Sequence, residues 1–343
     1  MKHLFTTILA ALITLSAAGQ ESRLHKLDLE ARVDYMQEYQ SEAKFNDASG
    51  FKGKYLNIRI DGDLVENVSY SYRQRLNKPS KDATFFDATD WITISYRLDS
   101  WTFSGGKQVV GIGGFEYDGA PIDLYFCSEY WNNIACYQYG ASLAWETNSR
   151  NDKLMFQFCE SPFRRNALNT ENKEMFAYNI MWTGSHGLYS SLYSLNFIEY
   201  LPGKFINYLA LGNRFTIGDF RIDLDFMNRA VSAKDFGKDF SVMCELKWFP
   251  LKRLDIFAKA THDRNLSEEA GDWCVAPGTS ITRIGGGIEY YPVKDSKALR
   301  LHLNCCYTYG KVAETTVLKD KQTIIDAGIT WKMNMLNLKR KQQ

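Results

Sequence analysis

A repeating unit of about ten alternating residues followed by a turn runs through most of this chain. In residues 325–333, apolar side chains at odd positions alternate with polar residues or glycine at even positions. Residues 220–226 and 299–307 alternate in the same way. A period of two places neighbouring side chains on opposite faces of a β-strand, so each strand is expected to separate two different environments.

About sixteen such runs follow one another, and their connections alternate between short and long. Asp99-Ser100 is a short connection, whereas residues 161–175 form a long one. Short turns at one end and long loops at the other, with an even number of strands, are typical of outer-membrane barrels. The pattern predicts an all-β fold, an antiparallel transmembrane β-barrel over residues 21–343. The alternative is an exported soluble or surface β-sandwich that acts as a binding protein.

The first twenty residues have the features of a secretory signal peptide. Lys2 and His3 precede an apolar run over residues 4–15, and the small residues of 16–19 suit a peptidase site. The rest of the sequence contains no run of about 18 apolar residues, which is the length that a transmembrane helix needs. We therefore expect residues 1–20 to be removed on export, and the mature chain to reside in the outer membrane.

The charge and the aromatic content of the chain indicate which kinds of partner it has. The chain has 41 basic and 40 acidic residues, a net charge of +1, which gives no general attraction to nucleic acid. Aromatic residues make up 14% of the chain, as expected where aromatic girdles meet lipid at two interfaces. Outer-membrane lipid and small polar solutes are thus the expected partners.

The connection Ile112–Tyr137 is too long for an ordinary hairpin, and its many aromatic residues argue against disorder. We expect this third outer loop to fold into the barrel lumen and constrict it. The stretch Gly285-Gly286-Gly287 lies within a strand, where missing side chains would leave room for an object packed against the wall.

Charged residues suggest how solutes would pass. The early strands carry basic residues on their polar face, and another basic residue stands at the root of the loop; together they are Arg59, Arg73, Arg75, Arg97 and Lys107. Such a wall would favour anions. Three acidic loop residues, Glu116, Asp118 and Asp123, would moderate that preference. The alternative is that all these charges merely solvate a wide lumen.

Seven cysteines are an odd number for an exported protein, so at least one thiol is expected to be free or joined to another chain. Cys127 and Cys136 both lie in the long loop, where a disulfide would restrain its tip. Alternatively, each packs as a small apolar residue.

Enzymatic chemistry has little support in the sequence. Of the five histidines, only His302 lies on an inward strand face, and no serine stands beside it as a nucleophile. No histidine, cysteine and carboxylate group has the spacing of metal ligands. We therefore expect no enzyme activity, no cofactor and no metal.

Three sequence stretches resemble the phosphate-selective porin O and P family, in its form from Bacteroidetes-type outer membranes. They are Ala88-Thr-Asp-Trp91, Gly106-Lys-Gln108, and Gly113-Gly-Phe-Glu-Tyr117 with Ala120-Pro-Ile122. The resemblance implies a sixteen-stranded porin, a homotrimer in the best-known members, whose third outer loop corresponds to Ile112–Tyr137 here. It also implies a passive channel for small hydrophilic solutes or anions, including phosphate.

Overall fold

The computed structural model describes residues 23–78, 86–165, 169–267, 274–312 and 321–337. Within them, seventeen strands follow one another: β1 (Arg23–Gln40), β2 (Ala43–Lys44), β3 (Gly50–Val65), β4 (Val68–Arg75), β5 (Thr89–Leu98), β6 (Trp101–Val109), β7 (Tyr137–Glu146), β8 (Asp152–Glu160), β9 (Phe176–His186), β10 (Tyr189–Leu201), β11 (Lys204–Ile217), β12 (Phe220–Ala230), β13 (Asp239–Leu251), β14 (Leu254–Asn265), β15 (Ser280–Tyr290), β16 (Leu299–Lys311) and β17 (Gln322–Asn337). The segment predicted as a signal peptide, residues 1–20, lies outside the described residues.

Helical structure in the described part of the chain is limited to single turns. They are the α-helical turns Phe115–Asp118 and Glu129–Asn133 and the 3-10 turns Pro121–Asp123 and Ala233–Asp235. None of these helices has the length and apolar character needed to cross a lipid bilayer.

The strands form one closed antiparallel barrel. Each long strand pairs with its neighbours in sequence, and β1 closes the sheet by pairing with both β3 and β17. The two-residue β2 is a small ladder in the first long loop, so sixteen strands build the wall and the predicted number is confirmed. Closure leaves no free sheet edge in lipid. A sandwich of two separate sheets is excluded.

The two faces of the wall differ as the alternation predicts. On β16, Leu301 and Leu303 are exposed, whereas His302 and Asn304, which alternate with them, are buried. Apolar side chains therefore point outward to lipid, and polar side chains point into the barrel. The inward polar groups are buried because other parts of the chain fill much of the interior.

Long and short connections lie at opposite ends of the barrel, except that β10 and β11 are joined by a short turn at the long-loop end. The longest described connection, residues 110–136 between β6 and β7, is called the internal loop below. Its side chains Ile112, Tyr117 and Tyr130 belong to an apolar cluster with Ile206 and Tyr208 of β11. This cluster lies inside the barrel, against one side of the wall.

Candidate pore and internal loop

The internal loop is fixed to the wall at the start of each of its two α-helical turns. The backbone N–H groups of Phe115 and Glu116 donate to the carboxylate of Asp225 on β12, over 2.9 and 2.7 Å. The N–H of Glu129 donates to Asp263 on β14 over 2.7 Å. The first N–H groups of a helix have no partner within it, so these wall carboxylates satisfy buried donors of the loop.

A glycine allows the loop backbone to approach the wall closely. The N–H of Gly113 donates to Ser194 Oγ on β10 over 2.8 Å. A Cβ at position 113 would lie 2.6 Å from the backbone oxygen of Leu192, closer than any real contact. The Gly113-Gly114 pair is thus required by contact with β10 as well as by the turn.

The triple-glycine stretch faces the loop from the opposite wall. A Cβ at Gly285 would lie 2.9 Å from Cε1 of Phe126 in the loop. The Phe126 ring therefore occupies space that any larger residue at position 285 would take. On the same side, the ammonium of Lys259 donates to the Phe126 carbonyl oxygen over 2.9 Å.

Of the three acidic residues predicted to moderate the pore, Glu116 and Asp123 form ion pairs with the wall. Glu116 lies 2.7 Å from Lys259 and also accepts hydrogen bonds from the N–H and hydroxyl of Ser128. Asp123 lies 2.9 Å from Arg300 and 3.2 Å from Lys332.

The surroundings of Asp123 and Asp118 shift the pKa values of these two loop carboxylates in opposite directions. Burial alone raises the pKa of Asp123, but the charges of Arg300 and Lys332 outweigh it and hold this pKa below its usual value. Burial raises the pKa of Asp118, against the weaker effect of Arg214. The loop therefore presents less free negative charge to the lumen than its composition suggests.

Three of the predicted basic residues form one group, called the arginine cluster here: Arg59, Arg73 and Arg75. The guanidinium groups of Arg73 and Arg75 approach the single carboxylate of Asp90 to 3.2 and 2.9 Å. Arg59 pairs with Asp61 over 2.7 Å. Arg59 and Arg73 also lie over the ring of Trp91, 5.6 and 4.9 Å from its centroid. The Trp91 ring thus makes a cation–π contact with both guanidinium groups.

The other two predicted basic residues lie elsewhere. Arg97 is six residues along β5 from Trp91, close to the short turn, and pairs with Glu146 over 3.0 Å. Lys107 stands in register with Ile92 and Tyr139, whose side chains are exposed outside the barrel. Its ammonium donates to the Phe86 carbonyl at the rim. Although its register partners face lipid, Lys107 itself is buried, and it lines the outer chamber described below together with Arg75.

Two chambers lie on either side of the internal loop. The outer chamber, of about 430 Å³, lies at the long-loop end and contains five basic and three acidic residues: Arg75, Lys78, Lys107, Arg164, Arg165, Asp87, Asp90 and Glu160. The inner chamber, of about 420 Å³, lies at the short-turn end and contains six of each: Arg214, Arg221, Lys247, Lys297, Arg300, Lys332, Asp118, Asp123, Asp223, Glu245, Asp255 and Glu289. Their charge balance therefore differs.

Several cations that hold the loop lie on the first strand and on late strands, and the sequence reasoning missed them. Arg32 on β1 donates to the Leu124 carbonyl over 2.7 Å and lies 4.7 Å from the Tyr125 ring centroid. Arg283 on β15 lies 2.5 Å from Glu129. Both cations lie at inward positions of strands whose apolar and polar residues alternate. The same alternation that was used for the early strands could therefore have identified them from the sequence.

One group of side chains has the composition of a metal site. Asp34, His302 and Asp326 come from three strands, with ligand atoms within 4.8 Å of one another. However, the guanidinium of Arg32 lies 2.7 Å from Asp34 and 3.6 Å from Asp326. A cation here would be repelled by that guanidinium, so we interpret the group as a buried charge network that supports Arg32 beneath the loop.

Of the two possibilities for the cysteines of the internal loop, a disulfide or two free thiols, the structure has the free thiols. Cys127 follows Phe126, which contacts β14, whereas the Cys136 carbonyl accepts a hydrogen bond from Val110 at the root of the loop. Burial raises the pKa of both thiols, that of Cys136 to about 11. Each cysteine packs as a small apolar residue, which was the alternative.

Comparison with known proteins identifies the fold and the family. Residues 26–196 match the model of a family described as phosphate-selective porin O and P. The chain belongs to this family. The matched residues of this outer-membrane porin include the arginine cluster and the whole internal loop. No curated protein sequence matches this porin.

Solved structures share the barrel at low sequence identity. The anion-selective porin from Comamonas acidovorans superposes with a TM-score of 0.63 at 12% identity, covering 91% of this porin and all of that chain. The trimer form of OmpT from Vibrio cholerae gives 0.60 at 10% identity, covering 92% and 100%. A mutant of the Rh. blastica porin gives 0.56 at 12% identity, covering 91% and 100%. At these identities the likeness shows the porin fold.

Proposed function

We propose that this porin is a passive channel for small hydrophilic solutes with a modest preference for small anions. Solutes would enter the outer chamber, pass between the internal loop and the arginine cluster, and leave through the inner chamber. The internal loop would set the size limit. The Comamonas porin of the same fold is described as anion-selective, which supports the direction of the preference.

The observation that carries this proposal is the sharing of one carboxylate by two arginines. Arg73 and Arg75 both approach Asp90, so one positive charge of this trio has no counterpart within it. The outer chamber repeats this excess, whereas the charges of the inner chamber balance. An excess of one or two charges in water-filled space attracts anions weakly. A modest preference follows.

Phosphate would pass as one anion among several. Each arginine of the cluster already has a carboxylate neighbour, so a phosphate group would have to compete with Asp61 or Asp90 for hydrogen bonds. We expect phosphate to enter more readily than chloride, because of its greater charge, without occupying a tight site. A tight site would be seen as block of the chloride current by low phosphate concentrations.

The assembly we propose is a homotrimer, since a structural neighbour from Vibrio cholerae is described in a trimer form. Cross-linking of the folded protein in membranes would show three species, up to a trimer. We also propose cleavage of residues 1–20, which amino-terminal sequencing of the exported protein would test.

Planar-bilayer recording of the purified, folded protein tests the proposed function. Stepwise conductance, with a reversal potential displaced toward chloride under a salt gradient, is the expected result. A cation-directed reversal potential would contradict the proposed selectivity. Absence of conductance from protein that migrates as a folded barrel would contradict the channel itself.

A further inference from the structure

A row of two cations and a hydroxyl crosses the outer surface of the barrel near the long-loop end. Arg264 on β14 pairs in register with Ser280 on β15, and Ser280 pairs with Lys311 on β16. All three side chains are exposed. Neither cation takes part in an ion pair with another described residue. Strands in a sheet lie about 4.8 Å apart, so the two cations start about 10 Å apart, with the serine hydroxyl between them.

The row faces lipid, because inward and outward residues of β14 are clearly distinguished. Lys259 and Asp263 contact the internal loop and therefore point inward. Arg264 follows Asp263 directly and points to the other side of the wall. Tyr307 and Tyr309 on β16 lie just below the row, with ring centroids 6.0 Å apart. Tyrosine rings at this level are typical of the membrane interface, so the cations stand at headgroup height.

A groove begins directly beneath this row and runs down into the apolar band. It has a volume of about 380 Å³ and includes His262 and Thr282 at its top, with Val242, Cys244, Ala260 and Leu224 below. The imidazole of His262 is hydrogen-bonded to the Thr282 hydroxyl over 2.8 Å. The groove exists because Cys244 and Ala260 are small, between the larger Leu224 and Ile284 on neighbouring strands.

We propose that this surface binds a lipid of the outer leaflet that carries phosphate on its headgroup. The phosphate would accept hydrogen bonds from Arg264, Ser280 and Lys311, and an acyl chain would lie in the groove. Charge complementarity favours this occupant over a second copy of the chain, because the two cations have no carboxylate partner among the described residues and an anion at the same height would pair with them. The order of the features, cations above and an apolar groove below, matches a phosphorylated headgroup joined to its acyl chains. This inference depends on the outer-membrane location and is independent of the anion selectivity.

Binding of lipid A to the folded protein in detergent tests the proposal, with phosphorylated and dephosphorylated lipid A as the probes. Native mass spectrometry gives the affinity, and migration on unheated gels reports folding. The double variant R264Q/K311Q should bind phosphorylated lipid A at least about tenfold more weakly, since each cation near a lipid surface contributes about a fivefold factor. The same variant should bind the dephosphorylated form as the wild type does.

Two further variants separate the alternatives. The control K52Q/K204Q removes two cations near the long-loop ends of β3 and β11 and should leave binding unchanged. Ala260→Trp fills the groove and should weaken binding of both forms of lipid A. Equal losses in R264Q/K311Q and in the control would overturn the proposal, since they would reflect general charge. So would displacement of bound lipid A by inorganic phosphate alone. A change in oligomeric state of Ala260→Trp with unchanged lipid binding would assign the groove to a second copy instead.

Discussion

The ammonium of Lys259 on β14 lies 2.7 Å from a carboxylate oxygen of Glu116, and both side chains are buried inside the barrel. The same carboxylate accepts hydrogen bonds from Ser128, the residue before the second α-helical turn of the internal loop. One ion pair thus joins both α-helical turns of the loop to the wall. The position of the loop, and with it the width of the channel, depends on this contact.

Replacing Lys259 with methionine should free the internal loop. The change leaves the Glu116 carboxylate buried without its cation, which costs about 3–5 kcal/mol when a buried pair loses one partner. We expect a lower melting temperature and larger fluctuations of the open-channel current. The double variant K259M/E116Q should recover much of the stability, because it removes the unpaired charge. An unchanged melting temperature and steady current in Lys259→Met would show that the pair does not hold the loop.

Replacing Gly113 with alanine should displace the loop at its root. The added Cβ would meet the backbone oxygen of Leu192 at 2.6 Å, and a backbone atom cannot turn away as a side chain can. Overpacking of this kind costs about 1–3 kcal/mol. Gly105→Ala is the matched control, since nothing lies within 4 Å of its Cβ. Thermal unfolding should show a clearly lower melting temperature for Gly113→Ala and an unchanged one for Gly105→Ala. Equal effects at the two positions would contradict the close approach of the loop to β10.

Thiol labelling tests the arrangement of the loop cysteines. Denatured but unreduced protein should incorporate label at all seven cysteines, since Cys127 and Cys136 are free. A loss of two labels from this pair would show the disulfide instead.

The pH dependence of labelling in the folded protein follows from burial. Only the thiolate reacts, and burial raises the pKa of Cys136 to about 11. Its labelling rate should therefore increase about tenfold per pH unit from pH 8 to about 10. An ordinary thiol would level off near its pKa of about 8.5. A plateau for Cys136 below pH 9 would contradict its buried position.

The barrel could be predicted from the sequence because strand alternation is a local property. The apolar positions of β17, such as Ile325 and Met333, indicate their faces without knowledge of any other strand. The placement of Arg73 and Arg75 on one face followed for the same reason. The pairing of β1 with β17, which closes the barrel, joins residues far apart in sequence. It could still be expected, because an even number of strands joined alternately by short and long connections is typical of a closed barrel.

The partners of the internal loop could not be predicted in the same way. Glu116 and Lys259 are far apart in sequence, and only the closed barrel brings β14 across from β6. The expectation that the acidic loop residues moderate the basic wall of the early strands missed this, because cations of the late strands neutralise them. The surroundings of Lys107 could not be predicted from simple alternation either. Its neighbour Gly106 has a φ of 122°, and the alternation of exposed and buried residues changes at that point of β6, where Lys107 is buried.

The reversal potential of single channels under a chloride gradient tests the central claim most directly, when measured for wild type, Asp90→Asn and Arg75→Gln. The first variant removes the carboxylate that two arginines share, and the second removes one of those arginines. Asp235→Asn, on an exposed turn, is the control. We expect Asp90→Asn to increase the preference for chloride and Arg75→Gln to decrease it, with the control unchanged. Shifts of the same sign in both variants, or none in either, would contradict the account.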